Sequence, residues 1–321
     1  MTDQRASFIH NKLLYDAQQD VVPLVLRDFV VMKRQVESLI PFLEFSVREC
    51  EEAAGQLISE SHGDDCDACV ILRNMHLRFE HDLSLYRAHV ENTKRVWVGI
   101  TKRDAINSAT PELFLGVALT TRALLDTVFR SSVLYSSGDI RAYNKQLADS
   151  LHSFSKLVWS TLPQNIHHNI GHVLEEYGSL SNSKRNESAL YADPAPTFKS
   201  KVAYMRGNNT SAGFSDFFEE CESFYNALSD MVHGGSAAMA ASNLKGSQIV
   251  MGVSDLKYVA SAHQLAELIG VATVLSHKLL VNFYIPVLVH TLSRIEGADS
   301  VRHSFAAIHE LLIEKAGSFS F

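Results

Sequence analysis

The chain has 321 residues, 46% of them hydrophobic and 20% charged, with a formal net charge of −7. That length holds one large domain or two medium ones, and the balance is that of a folded globular protein rather than a disordered one. The negative total excludes a general polyanion binder, so any nucleic-acid contact needs a local basic patch. Four cysteines make no disulfide scaffold and point to a reducing cytosol.

Proline and glycine are scarce, at 7 and 16 residues, and apolar residues recur at i, i+3, i+4 and i+7 rather than alternating. The chain reads as all-α, a bundle of long antiparallel helices. The N-terminus has no long apolar stretch of the signal-peptide kind. Helices are expected over about 7–20 and 22–60, the second with Pro23 near its first turn. A third is expected over 65–104, capped by Asp64 or Asp65. The clearest start is Thr110 as cap with Pro111 and Glu112 in the first turn; that helix runs to about Tyr135 and ends near Gly138. Further helices are expected near 139–160, 163–177, 214–233, 254–294 and 298–316. The apolar region Leu265 to Leu292 contains Glu267, His277, Lys278 and Pro286, which fits a buried core helix better than a bilayer span. Residues 178–213, rich in Ser, Asn, Lys and Gly, read as a long connection with a short helix around 196–205. Residues 1–105 read as a helical hairpin or arm and 106–321 as a helical domain; the two halves sharing one core fits the sequence equally.

The stretch Ser229-Asp230-Met231-Val232-His233-Gly234-Gly235 is the most distinctive. On a helical wheel Phe224, Leu228, Met231 and Val232 fall on one arc. Tyr225, Asn226, Ser229 and His233 fall on the other, with Glu222. The glycine pair ends the helix. His233 therefore shares a polar stripe with a phenol, an amide and a hydroxyl. One reading is a helix-end histidine that binds free carbonyls; the other is a catalytic or ligand-contacting histidine.

This stretch resembles helical proteins of the HEPN superfamily, and more closely bacterial helical families in which a Ser/Asn-x3-His-Gly turn follows an Arg-bearing helix. Here that helix is Thr121-Arg122-Ala123-Leu124-Leu125-Asp126-Thr127-Val128-Phe129-Arg130. The resemblance covers about residues 106–290. It implies a metal-independent endoribonuclease or its regulatory relative, of bacterial defence or toxin–antitoxin systems, usually dimeric and needing no cofactor. It implies His233 as general acid/base, an arginine that stabilises the phosphate, and Ser229, Asn226 and Tyr225 lining the groove. In active members that arginine stands four to six residues before the histidine; here the window holds Asn226, Ala227 and Leu228. Arg122 or Arg130, arriving from the earlier helix, would supply it in space. The same Arg122, Asp126 and Arg130, at i, i+4 and i+8, equally describe an ion-pair ladder that fixes helix register. Arg5…His10 and Arg302…His309 match the spacing only as often as chance provides.

Lys199, Lys201 and Arg206, with Lys184 and Arg185, concentrate positive charge in and beside 178–213 and are candidates for phosphate or RNA contact; Lys94, Arg95, Lys102 and Arg103 form a second cluster. His62, Cys66, Cys69 and His76 approach a zinc pattern but lack a second Cys-x2-Cys pair, so thiols in a helix are the expected state. His168, His172 and Glu176 share a helix face without the metalloprotease order, leaving a metal-dependent hydrolase as a third reading. No metal is expected. The alternative to the RNA reading is a non-catalytic interaction module in a homo-oligomer or hetero-complex. A cytoplasmic homodimer, or a complex with a partner protein or RNA and no membrane, is the expected setting.

Overall fold

The computed structural model describes residues 34, 36–57, 67–101, 111–161, 163–208, 215–232 and 268–317. Among them every regular element is a helix. In chain order these are α1 (36–57), α2 (Asp67–Thr101), α3 (Pro111–Ser137), α4 (Ile140–Thr161), α5 (Gln164–Glu187), α6 (Phe198–Asn208), α7 (Ser215–Val232), α8 (Leu268–Leu292) and α9 (Asp299–Gly317). The all-α reading holds, and α4, α7 and α9 begin and end within about two residues of the sequence expectation. The expected helix at 7–20, the caps at 64–65 and Thr110 lie outside the described residues.

Gly138, with φ +59°, makes the turn between α3 and α4. A Cβ there would strain the left-handed backbone, which is why glycine stops α3 at that point. In α8 the ladder widens to π geometry over Lys278–Tyr284, and the Ile285 amide donates to the Leu280 carbonyl, five residues back. Pro286 follows at once in the next α-helical turn. Proline brings no amide and crowds the carbonyl four residues earlier, so the wider turn lets the helix pass through it.

One expectation is corrected here. The Ser- and Asn-rich residues 178–187 continue α5 as helix instead of opening the long connection. Their low propensity is overridden by packing along α4: the buried Ser181 hydroxyl donates to the Ala148 carbonyl at 2.8 Å, and Asn144 Nδ2 donates to Glu187 Oε2 at 3.0 Å. Among the described residues the irregular part is the stretch 188–197, followed by α6; residues 209–214 lie outside the described set.

The core is continuous, from Val36 of α1 through Phe79 of α2 and Phe129 of α3 to Leu288 of α8 and Leu312 of α9. Phe129 sits at its centre, 5.2 Å ring to ring from Phe198, 6.1 Å from Phe218 and 5.0 Å from Phe283. Helix α8 is long and apolar enough to cross a membrane by length and composition, but 72% of its apolar window is buried inside the protein. It is a core helix.

The core also holds an unusual amount of polar chemistry where α2, α3 and α8 meet. Asp82 is fully buried. Its Oδ2 accepts from Ser131 Oγ at 2.6 Å and from the Tyr284 hydroxyl, and Arg78 Nε lies 3.5 Å from its Oδ1. Burial raises the Asp82 carboxyl to about 6 against the pull of Arg78 and the two hydroxyl donors. Two turns further along α2, the His89 ring lies 3.1 Å from the Ser276 hydroxyl and 3.4 Å from those of Thr120 and Thr121. Burial lowers this imidazole to about 4, so it is neutral at pH 7.

Candidate functional site

Helices α3, α6 and α7 enclose a cleft of about 510 Å³. α3 and α7 run in opposite directions along it, because Phe129 meets Phe218 while Arg122 meets Tyr225. The sequence dictates this packing. Phe217, Phe218, Cys221 and Leu228 of α7 are buried, which turns Tyr225, Asn226 and Glu222 to the cleft side.

Tyr225 organises the site. Its ring stacks on Phe198 at 3.8 Å between centroids and 10° between planes, and the Arg122 guanidinium lies over it, 5.3 Å from the centroid. Arg122, Tyr225 and Phe198 thus bring α3, α7 and α6 together through one aromatic ring. A guanidinium so placed gains from the electron-rich face of the phenol. Its Nε is buried and has no hydrogen-bond partner among the described residues.

Asp126, one turn on from Arg122, is shared between two cations. Its Oδ2 accepts from Arg130 at 2.9 Å and its Oδ1 from Lys201 at 2.7 Å. The ladder considered from sequence therefore exists with different members: Lys201 of α6 stands where Arg122 was weighed, and Arg122 turns to Tyr225. Lys201 is only 4% exposed, held inside by its ion pair instead of standing in an open loop. Lys199 is exposed and lines the cleft with Asn226, also exposed, and Glu222. Ser229, half-buried, is one helical turn beyond Tyr225 on α7. Arg206 is exposed near the end of α6 and does not line the cleft. His233 lies outside the described residues.

The sequence-selected residues Tyr225, Asn226, Arg130, Lys199 and Lys201 share one cleft, and Arg122 adjoins it through Tyr225. Phe198, on which Tyr225 stacks, had no distinguishing signal, because an aromatic in a short helix reads as ordinary core. Asp82 did leave one: it falls three residues after Phe79 and four before Tyr86, a core register that a carboxylate rarely occupies.

Of the metal patterns, Cys69 and His76 are within the described residues, while His62, Cys66 and the side chain of His168 are not. His76 Nδ1 lies 3.1 Å from the Ala54 carbonyl and its Nε2 is 3.7 Å from Glu80. His172 is exposed. Among the described residues no three His, Cys, Asp or Glu side chains gather as metal ligands. Buried Cys50 and Cys221 have thiols raised by burial, which makes them unreactive.

Comparison with protein-family models, with curated proteins and with solved structures finds no match to this chain.

Proposed function

We propose that this is a HEPN-like helical protein of a bacterial defence or toxin–antitoxin system, its HEPN-like part lying within residues 106–321 of a bundle of long antiparallel helices. It acts on RNA as a metal-independent ribonuclease, or as a degenerate regulatory relative that retains RNA contact, in the cytoplasm and as a homodimer or with a partner protein. The observation that carries the reading is the Arg122 guanidinium over Tyr225. The stretch before His233 lacks an arginine, and an arginine from α3 reaches the same polar stripe of α7 from across the cleft. In this reading Arg122 and Lys199 hold a phosphodiester, Arg130 and Lys201 add positive charge around Asp126, and His233 moves the proton. Asn226 and Ser229 line the path as neutral donors.

The test is cleavage of a single-stranded RNA in EDTA by the wild type, by His233→Ala and by Arg122→Ala, with folding checked by circular dichroism. The ribonuclease form requires cleavage that His233→Ala abolishes and Arg122→Ala reduces by roughly 10²-fold, the scale of losing one transition-state donor. The regulatory form requires RNA binding without cleavage. A folded protein that neither cleaves nor binds RNA ends the proposal.

One observation favours the alternative of a non-catalytic interaction module. Arg130 and Lys201 already share Asp126, as they would if the cluster only fixed the register of α3 against α6. A binding measurement with the same RNA separates the two readings, since a purely structural cluster gives no RNA binding.

A further inference from the structure

Helices α4 and α5 form an antiparallel hairpin, with Asn144 opposite Glu187 and Ala148 opposite Ser181. Ala142 and Tyr143 of α4 belong to the central core. Further out, Ala148 and Leu174 are buried but lie outside that core. Among the described residues α5 packs along α4 and on no other helix to a comparable extent. The outer part of the hairpin is therefore an arm with a face that the core does not use.

The sequence gives that face a pattern. Along α5, Ile166, Ile170, Val173, Tyr177 and Leu180 recur at spacings of four, three, four and three, the seam spacing of helices that pack knobs into holes. Along α4, Leu147, Leu151 and Val158 follow the same ladder at four and seven. None of the eight is buried: Ile166 is 37% and Leu180 43% exposed, and the others are exposed or half-buried. The two stripes share one side of the hairpin. Leu147 precedes the inward-facing Ala148 by one residue, as Val173 precedes Leu174 and Leu180 precedes Ser181. In antiparallel helices that equal offset turns both stripes the same way. The charged residues of α4 (Arg141, Lys145, Asp149 and Lys156) fall on its other side, and in α5 Glu176 only marks the outer edge of the face. A two-helix layer with an uncharged apolar face needs a second layer to cover it.

We infer that this face of the α4/α5 hairpin is a self-association surface, covered by the same face of a second copy of this chain to form a four-helix bundle. The stripes measure about 16 and 21 Å at 1.5 Å per residue, so a second copy offers helices of matching spacing and length, as an isologous contact requires. Selection of an unlike partner relies on charges placed within the contact, and between Ile166 and Leu180 the face has none. An anionic lipid surface would need a basic margin; Glu175 and Glu176 are exposed there instead. The inference goes beyond the RNA reading, because the face includes no residue of the Tyr225 cleft.

Sedimentation velocity of the full chain over a range of concentrations tests it. A reversible dimer is expected for the wild type. Ile166→Glu and Leu180→Glu each raise its dissociation constant at least about tenfold, since each places a charge in the contact twice. Leu180→Ala acts in the same direction by a smaller factor. Leu190→Glu, 88% exposed in the turn beyond α5, leaves the constant unchanged. The thermal midpoint of the wild type rises with protein concentration and that of Leu180→Glu does not; far-ultraviolet circular dichroism confirms that each variant is folded. A wild type that stays monomeric, including one that binds another protein or a lipid surface through this face, overturns the inference. So does a dimer that both folded glutamate variants keep at full affinity. RNA cleavage and binding are read separately, so the two proposals fail separately.

Discussion

Tyr225 of α7 touches two other helices, α6 and α3, through one ring, so its replacement separates packing from function. Tyr225→Ala removes the Phe198 stack and the surface beneath Arg122. It lowers unfolding stability by about 2 kcal/mol, combining lost burial with the lost aromatic pair; urea melts measure it. Arg122→Ala leaves the Phe198 stack in place and costs under about 1 kcal/mol. The buried titrating groups predict a pH dependence. His89 and His277 are lowered to about 4 by burial, below the ordinary histidine value of about 6.5. Between pH 4 and 6.5 the unfolded chain binds more protons, so these histidines make stability fall as pH drops through that window. Asp82, raised to about 6, has the opposite sign: between pH 4 and 6 the folded state binds the extra proton, and stability falls as pH rises. Two histidines outweigh one aspartate, so net stability declines on acidification from pH 6.5 to 4. His89→Asn flattens that decline, and a series of urea melts across the range reads it. A slope unchanged in the variant would remove His89 as its source.

At the scale of elements, local signals in the sequence located most helix ends, and tertiary contacts moved the rest. Pro111 and Gly138 bracket α3 as their backbone chemistry requires. Replacing Gly138, at φ +59°, by alanine costs roughly 1 kcal/mol because a Cβ is strained in left-handed backbone; a shift in the thermal midpoint without loss of helicity is the expected result. By contrast, Ser and Asn between 178 and 187 carry no local helix signal. They are helical because Ser181 and Glu187 bond back to α4, and no reading of the segment alone contains α4. The π-turn before Pro286 was hidden for the same reason. Periodicity identifies the helix but not the register change that lets it run through a proline. The polar stripe of α7 was legible on a helical wheel, since it needs only the position of each side chain on one helix. Its partner was not: Arg122 was one of two candidates until the direction of α3 against α7 was known.

Across the whole molecule, the core draws on α1 and α2 as much as on α3, α8 and α9. Phe79 lies 5.2 Å from Phe305 and 5.6 Å from Tyr284, and the Tyr135 hydroxyl is 3.3 Å from that of Tyr284 and donates to the Met75 carbonyl at 3.4 Å. A chain that begins at residue 106 loses the partners of these side chains and exposes the buried faces of α3 and α8. It is expected to lack a cooperative thermal transition, where the full chain shows one; a sharp transition in the shortened chain would mean that the second part folds alone. Lys201, from the short helix α6, is drawn in to Asp126 of α3 at 2.7 Å and held there out of solvent.

Fluorescence anisotropy with a short single-stranded RNA, at several salt concentrations, tests most directly whether the Arg122–Tyr225 cleft engages RNA. Arg122→Ala should weaken binding at least tenfold and reduce the dependence of affinity on salt by about one phosphate contact, while Lys94→Ala, on an exposed pair with Glu44 away from the cleft, keeps wild-type affinity. Equal RNA affinity and equal salt dependence in the wild type and a folded Arg122→Ala variant, or no RNA binding by either, would contradict it.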